Sequence, residues 1–311
     1  MKGFHINHST AQYRLQYPWG IAFNHRLQQL VVTDGGDQRI QRFQFESIRN
    51  LPTPSTSTIS SFQLPRIKYL STIGSDGRGP IQFGGLAGIS YQPFTHHIVA
   101  CDDSHHRVHM LNEDGTQLLC SIGHVSRYSS SRDGEFHGPL GITCRVNGEI
   151  VVADSNNSRV QIFDARGVFI RKFGSIGDAP HQFGTPYDVC MLHPRWSSSS
   201  SSSSSLLVVD HNSNRISIWS GDGHQHLHNI RVYDFPCGIC VDLHGFIHVS
   251  CLYSHCVQVL DPRINYSLIQ TLGSKGSVAG EFNRPSGLCV DTWNRLMVVD
   301  HANSRVQFYS G

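Results

Sequence analysis

The stretch that decides the fold reads Val152-Ala153-Asp154-Ser155-Asn156-Asn157-Ser158-Arg159-Val160-Gln161-Ile162-Phe163. An apolar run ends in Asp, four residues follow, and Arg opens a second apolar run. The same pattern recurs at Asp34 and Arg39, Asp102 and Arg107, Asp210 and Arg215, and Asp300 and Arg305. A sixth, degenerate copy keeps the spacing with Cys251 and Cys256 in place of both charges. A fixed period of this length marks a repeat architecture and takes precedence over any local reading.

A second pattern precedes each copy. It reads Pro18-Trp19-Gly20-Ile21-Ala22, Leu86-Ala87-Gly88-Ile89-Ser90, Pro139-Leu140-Gly141-Ile142-Thr143, Pro186-Tyr187-Asp188-Val189-Cys190, Pro236-Cys237-Gly238-Ile239-Cys240 and Pro285-Ser286-Gly287-Leu288-Cys289. The third column is Gly except at Asp188, and the fifth is always small. Residues two apart on a strand share a face, so one face of this strand is kept small and lets a neighbouring sheet approach. Each repeat therefore holds four short strands. Strand a carries the Pro-x-Gly pattern, b ends in Asp, c begins at Arg, and d follows a turn such as Asp164-Ala165-Arg166-Gly167. Four-stranded repeats of this length are the blades of a β-propeller.

The predicted fold is all-β: a single six-bladed β-propeller spanning 1–311. Its repeats run roughly over 17–73, 85–122, 138–173, 184–232, 235–272 and 284–309. The chain ends on strand c of blade six, and Phe4-His5-Ile6 is spare. Residues 2–8 are expected to supply the missing outer strand and so remove an open edge. Two stretches, 46–65 and the serine-rich 197–205, are expected to be disordered loop insertions, because such composition cannot build a core.

The repeats resemble NHL repeats, on Asn157-Ser158-Arg159-Val160-Gln161, Asn303-Ser304-Arg305-Val306-Gln307 and Gly280-Glu281-Phe282-Asn283-Arg284-Pro285. The six-copy arrangement is similar to the propeller of the TRIM-NHL family. That resemblance implies cytoplasmic binding of mRNA, in 3′ untranslated regions, and post-transcriptional repression. It also implies ubiquitin-ligase activity where a RING segment is present, and this sequence shows no paired Cys/His series of zinc-finger spacing.

Composition narrows the classes further. The net charge is +2 with 15% charged residues, which excludes a uniformly basic nucleic-acid binder but not a local basic patch. Apolar runs such as Leu206–Val209 are far too short to span a bilayer, so no membrane association is expected. The N-terminus lacks an apolar signal region, so export is not expected. Nine cysteines, mostly within apolar runs, read as reduced, buried thiols.

Alternating strand direction places the d–a and b–c loops on one rim and the a–b and c–d loops on the other. We call these the upper and lower rims. The upper rim collects cations and aromatics suited to phosphate contacts and base stacking. The candidate RNA-binding residues are Arg14, Tyr17, Trp19, Arg78, Arg127, Tyr128, Tyr187, Tyr253, Lys275 and Arg284. The five recurring Asp–Arg pairs read as structural.

Competing chemistry is weaker. Cys237-Gly238-Ile239-Cys240 is a C-x-x-C on a strand, where residues three apart face opposite sides, which suits neither redox nor zinc chemistry. His224, His226 and His228 share a strand face and read as a solvent-facing outer strand rather than a zinc site. No nucleophile elbow, HExxH or phosphate-cradling motif is present. No metal, cofactor or small-molecule substrate is expected, and the chain reads as non-enzymatic. The alternative reading is a protein-binding substrate adaptor of a TRIM-type ubiquitin ligase.

Overall fold

The computed structural model describes residues 4–6, 14–46, 66–123, 128–193, 195, 204–233 and 235–309. Six four-stranded antiparallel sheets form a six-bladed β-propeller. Strand a of each blade lines the axis: Pro18–Asn24, Leu86–Tyr91, Pro139–Cys144, Pro186–Leu192, Pro236–Val241 and Pro285–Val290. Blade three is representative: Pro139–Cys144, Ile150–Asp154, Arg159–Phe163 and Phe169–Phe173.

The third-column glycines are what bring the strands a together. A Cβ on Gly20 would stand 2.5 Å from the Ala87 carbonyl oxygen, and one on Gly287 would stand 2.6 Å from that of Trp19. Both clashes are with the backbone of the next blade, which cannot give way. Hydroxyls tie the inner ring together. Thr33 donates to the Ala87 carbonyl at 2.8 Å, Ser250 to Ser286 at 2.6 Å, and Ser286 to Trp19 at 2.9 Å. Between blades the core is apolar, as where Val31, Ile40 and Phe83 pack with Ile98 and Leu111. Burial of such side chains from water is the main favourable contribution.

Phe4–Ile6 pairs antiparallel with strand c of blade six, with Phe4 opposite Phe308 and Ile6 opposite Val306. The ring is thus closed by joining the two ends of the chain in one sheet, which leaves Arg305–Tyr309 flanked on both sides.

Residues 47–65 and 196–203, which hold most of the two expected insertions, lie outside the described residues. Their margins are corrected. Glu46 donates its N–H to the Arg66 carbonyl at 2.9 Å, at the base of the blade-one c–d hairpin. Ser205 is buried and begins strand b of blade four (Ser205–Asp210), opposite Leu192 and Ser220. The histidine triplet is also corrected. Strand d of blade four begins at His226, and His224 precedes it beside Arg171. His226 stands edge-on to Trp219 at 5.3 Å and His228 packs on Tyr266 at 4.8 Å, so both are half-buried rather than solvent-facing.

Candidate functional site

In five of the six blades the d–a loop is held by an Asp and an Arg. In five blades the Arg that opens strand c donates from Nε to the Asp that ends strand b, at 3.0 Å for Arg39–Asp34, Arg107–Asp102 and Arg215–Asp210. The distance is 2.6 Å for Arg159–Asp154 and Arg305–Asp300. The rest of each guanidinium reaches the d–a loop. Arg159 donates to the carbonyls of Ser131, Arg132 and Glu135 at 2.7–2.8 Å. Arg305 does the same to Ser277, Val278 and Glu281. The Asp accepts a backbone N–H from the end of that loop, His137 for Asp154 and Asn283 for Asp300. An acceptor-only carboxylate and a five-donor guanidinium suit this task, because a buried loop turn leaves unpaired groups of both kinds.

Blade five lacks the pair. Only residues 232–235 separate strand d of blade four (His226–Arg231) from Pro236. The corresponding connections before Pro186 and Pro285 are twelve residues long, 174–185 and 273–284.

On this scaffold a run of aromatic rings crosses the upper mouth of the channel. Tyr17 lies 5.6 Å from His301, and Trp19 stands edge-on to His301 at 5.2 Å. Trp19 meets Tyr187 at 6.1 Å across the axis. Tyr187 stacks on His211 at 4.3 Å, His211 meets Phe235 at 5.1 Å, and Phe235 meets Tyr253 edge-on at 5.1 Å. The Arg284 guanidinium lies 5.7 Å over Tyr253, and the Arg284 N–H donates to His255 Nδ1 at 3.1 Å. Blades one, four, five and six all contribute.

Two of these rings, His211 and His301, directly follow the Asp of strand b and are fixed by carbonyls of the next blade. His211 Nδ1 lies 2.9 Å from the Pro236 carbonyl and His301 Nδ1 lies 3.0 Å from that of Pro18. A carbonyl only accepts, so Nδ1 carries the proton in both. Burial lowers both pKa values from the ordinary 6.5, more than these hydrogen bonds raise them. Both rings are therefore neutral at pH 7. Burial also lowers His255, and the adjacent Lys275 and Arg284 lower it further.

Three side chains of this group sit on strained backbone. Tyr17, Phe235 and Arg284 each directly precede the first residue of a strand a, and their φ values are 49°, 55° and 57°. A left-handed non-glycine residue costs about 1–2 kcal/mol. All three side chains remain exposed, Tyr17 at 58% and Phe235 at 38%.

Of the candidate residues, the structure brings together Tyr17, Trp19, Tyr187, Tyr253 and Arg284. Lys275 joins them through His255. Arg14 has an exposed side chain, and its carbonyl accepts from Arg39 and Gln41 at 2.9 and 3.3 Å. Arg78 and Tyr128 are exposed in the connections to blades two and three, on the other arc of the rim. Arg127 lies outside the described residues. Phe235, His211 and His301 complete the run without being singled out from the sequence as ligand contacts. Phe235 was detectable: it precedes Pro236 as Tyr17 precedes Pro18 and Arg284 precedes Pro285.

Two hollows adjoin the rings. One of about 400 Å³ lies on the rim and is lined by Tyr17, Trp19, Gln38, Asp103, Tyr187 and His301. The other, of about 310 Å³, is the channel below, walled by the strands a. Asp188 stands in its wall where five blades have glycine. It accepts N–H groups from Val189 at 2.9 Å and Ile239 at 3.0 Å. Burial pushes its carboxyl up to about 7, against the lowering effect of these bonds. Among the described residues no group of three or more His, Cys, Asp or Glu side chains is arranged to hold a metal ion.

Residues 15–43 and 136–163 match the NHL repeat. Those segments contain the Asp34–Arg39 and Asp154–Arg159 pairs and the Tyr17–Trp19 part of the aromatic run. Over 60 residues the chain is 38% identical to Protein brain tumor of Drosophila melanogaster, covering 19% of this chain and 6% of that protein. Over 47 residues it is 43% identical to RING finger protein nhl-1 of Caenorhabditis elegans, covering 15% and 5%. The chain thus aligns with only a small part of either relative. Among solved structures it is similar to a gluconolactonase from Xanthomonas campestris, with a TM-score of 0.63 and 15% identity over 98% of this chain and 94% of that one. It is also similar to virginiamycin B lyase from Staphylococcus aureus, with a TM-score of 0.60 and 10% identity over 100% and 99%. At these identities the likeness is one of fold. No helix among the described residues is long and apolar enough to cross a membrane.

Proposed function

We propose that this NHL-repeat propeller is a non-enzymatic RNA-binding module that holds single-stranded or loop RNA across its upper rim. The observation that carries this reading is the run of rings from Tyr17 to Tyr253, ending beneath the Arg284 guanidinium. Every base has a π-face, so exposed aromatic rings bind unpaired bases with little regard to sequence, and cations beside them take the phosphates. The strain at Tyr17, Phe235 and Arg284 supports the same reading, because strained positions concentrate where side chains are held for binding. The Asp–Arg pairs serve by anchoring the loops beneath.

In this role the propeller selects an mRNA and its partners silence it, which is the cytoplasmic repression that the NHL resemblance implies. A protein segment is the competing occupant, as in a ubiquitin-ligase substrate adaptor, and the low net charge is what favours it. Selection of bound sequences from a random RNA pool, at two salt concentrations, separates the two. Enrichment of a common unpaired motif supports RNA binding; no enrichment at either salt favours the protein ligand.

A further inference from the structure

Blade five differs from the others at one register position. Where five blades pair Asp with Arg, Cys251 at the end of strand b (Ile247–Cys251) lies directly opposite Cys256 at the start of strand c (Cys256–Asp261). Both are thiols in this structure, and both are buried, Cys251 at 0% and Cys256 at 6% exposure. Directly opposed residues on antiparallel strands have Cα atoms about 4.5–5.5 Å apart. That interval lies inside the window of about 4.4–6.8 Å that a disulfide requires. The side chains at this position also converge: in the sister blades they meet at 2.6–3.0 Å. In blade five the d–a connection is only residues 232–235, and a pair of cysteines takes the place of the ion pair.

We propose that Cys251 and Cys256 form an oxidation site, a reversible disulfide that replaces in blade five the cross-strand tie that Asp and Arg make elsewhere. The bridge closes the base of the loop 252–255, which carries Tyr253 and His255. With hydrogen peroxide as oxidant, the Cys256 sulfur, the more accessible of the two, attacks one peroxide oxygen. The O–O bond breaks, and a sulfenic acid and one water result. The Cys251 sulfur then attacks the sulfenic sulfur and displaces a second water. Two thiols lose two hydrogens and two electrons, and one peroxide becomes two waters. Two equivalents of a small thiol reverse the step by exchange.

The chemistry of the bridge does not depend on what the rim binds, so its test needs no RNA. The full chain is treated with hydrogen peroxide and analysed by intact mass, disulfide mapping and thermal melting. Expected are a loss of the mass of two hydrogens mapped to Cys251–Cys256 and a rise in Tm of about 3 °C, both reversed by dithiothreitol. The loss persists in Cys240→Ala and vanishes in Cys256→Ala. If Cys256→Ala does not fold, mapping of the wild-type chain decides alone. No mass loss, a bridge mapped to Cys237 or Cys240 instead, or a lower Tm in the bridged form would overturn the proposal.

Discussion

Trp19 of blade one and Tyr187 of blade four face each other across the channel mouth, with ring centroids 6.1 Å apart. They occupy the same column of the repeat, and in a six-bladed ring blades one and four are diametrically opposed. Two large side chains at this column thus roof the channel between them and join the rings of blade six to those of blades four and five. If bases stack there, Trp19→Ala weakens binding of a selected RNA by about 1–3 kcal/mol. The slope of log affinity against log salt stays as it was, because no phosphate contact is lost. Titrations at three or more salt concentrations give both quantities, and a changed slope would count against stacking.

The closure of the ring rests on three residue pairs between Phe4–Ile6 and Val306–Phe308. Deleting residues 1–8 leaves strand c of blade six with an unpaired edge, a template for pairing with another chain. The truncated protein is expected to melt lower and to self-associate. Light scattering and thermal melting check this; a monodisperse protein of unchanged Tm would contradict it.

The Asp–Arg pairs differ in burial, and their substitution should differ accordingly. The Arg159 side chain is 6% exposed, while that of Arg39 is 19% exposed. Arg159→Ala strands a buried carboxylate and is expected to cost about 3–5 kcal/mol. Arg39→Ala should cost less. Denaturant unfolding of the two variants checks the order.

Asp188 makes stability depend on pH. Its folded pKa is raised from 3.8 to about 7, so the unfolded chain releases its proton first as pH rises. Between about pH 4 and pH 7 the folded state binds more protons than the unfolded one, and stability falls across that window. Asp188→Asn cannot ionise and should lose less Tm over the same range. Melting both proteins at several pH values between 4 and 8 tests this; parallel curves would contradict it.

Repeat count, strand roles and rim polarity were legible because each depends on residues at fixed spacing: the Asp and Arg, the small columns of strand a, and the turn glycines. Ring geometry was legible in part. Trp19 and Tyr187 stood out as one column, but their meeting follows only once the ring has six blades and closes. The loop-holding task of the arginines was hidden, because their partners are backbone carbonyls, which no side-chain pattern records. His211 and His301 directly follow the Asp of the repeat, yet their fixed orientation comes from carbonyls of the following blade. The cysteine pair of blade five reads in the sequence as a degenerate copy, and its direct opposition follows only from the register of the hairpin.

RNA binding on the upper rim is tested by the salt dependence of a double variant. Lys275 and Arg284 are exposed and flank His255, and Arg284 lies over Tyr253. Each lost phosphate contact lowers the slope of log affinity against log salt by about 0.7 for a single strand. Lys275→Ala with Arg284→Ala should therefore weaken binding of a selected RNA and flatten the slope by about 1.4, with an unchanged melting curve. An affinity and a slope equal to those of the wild-type protein would contradict RNA binding at this rim.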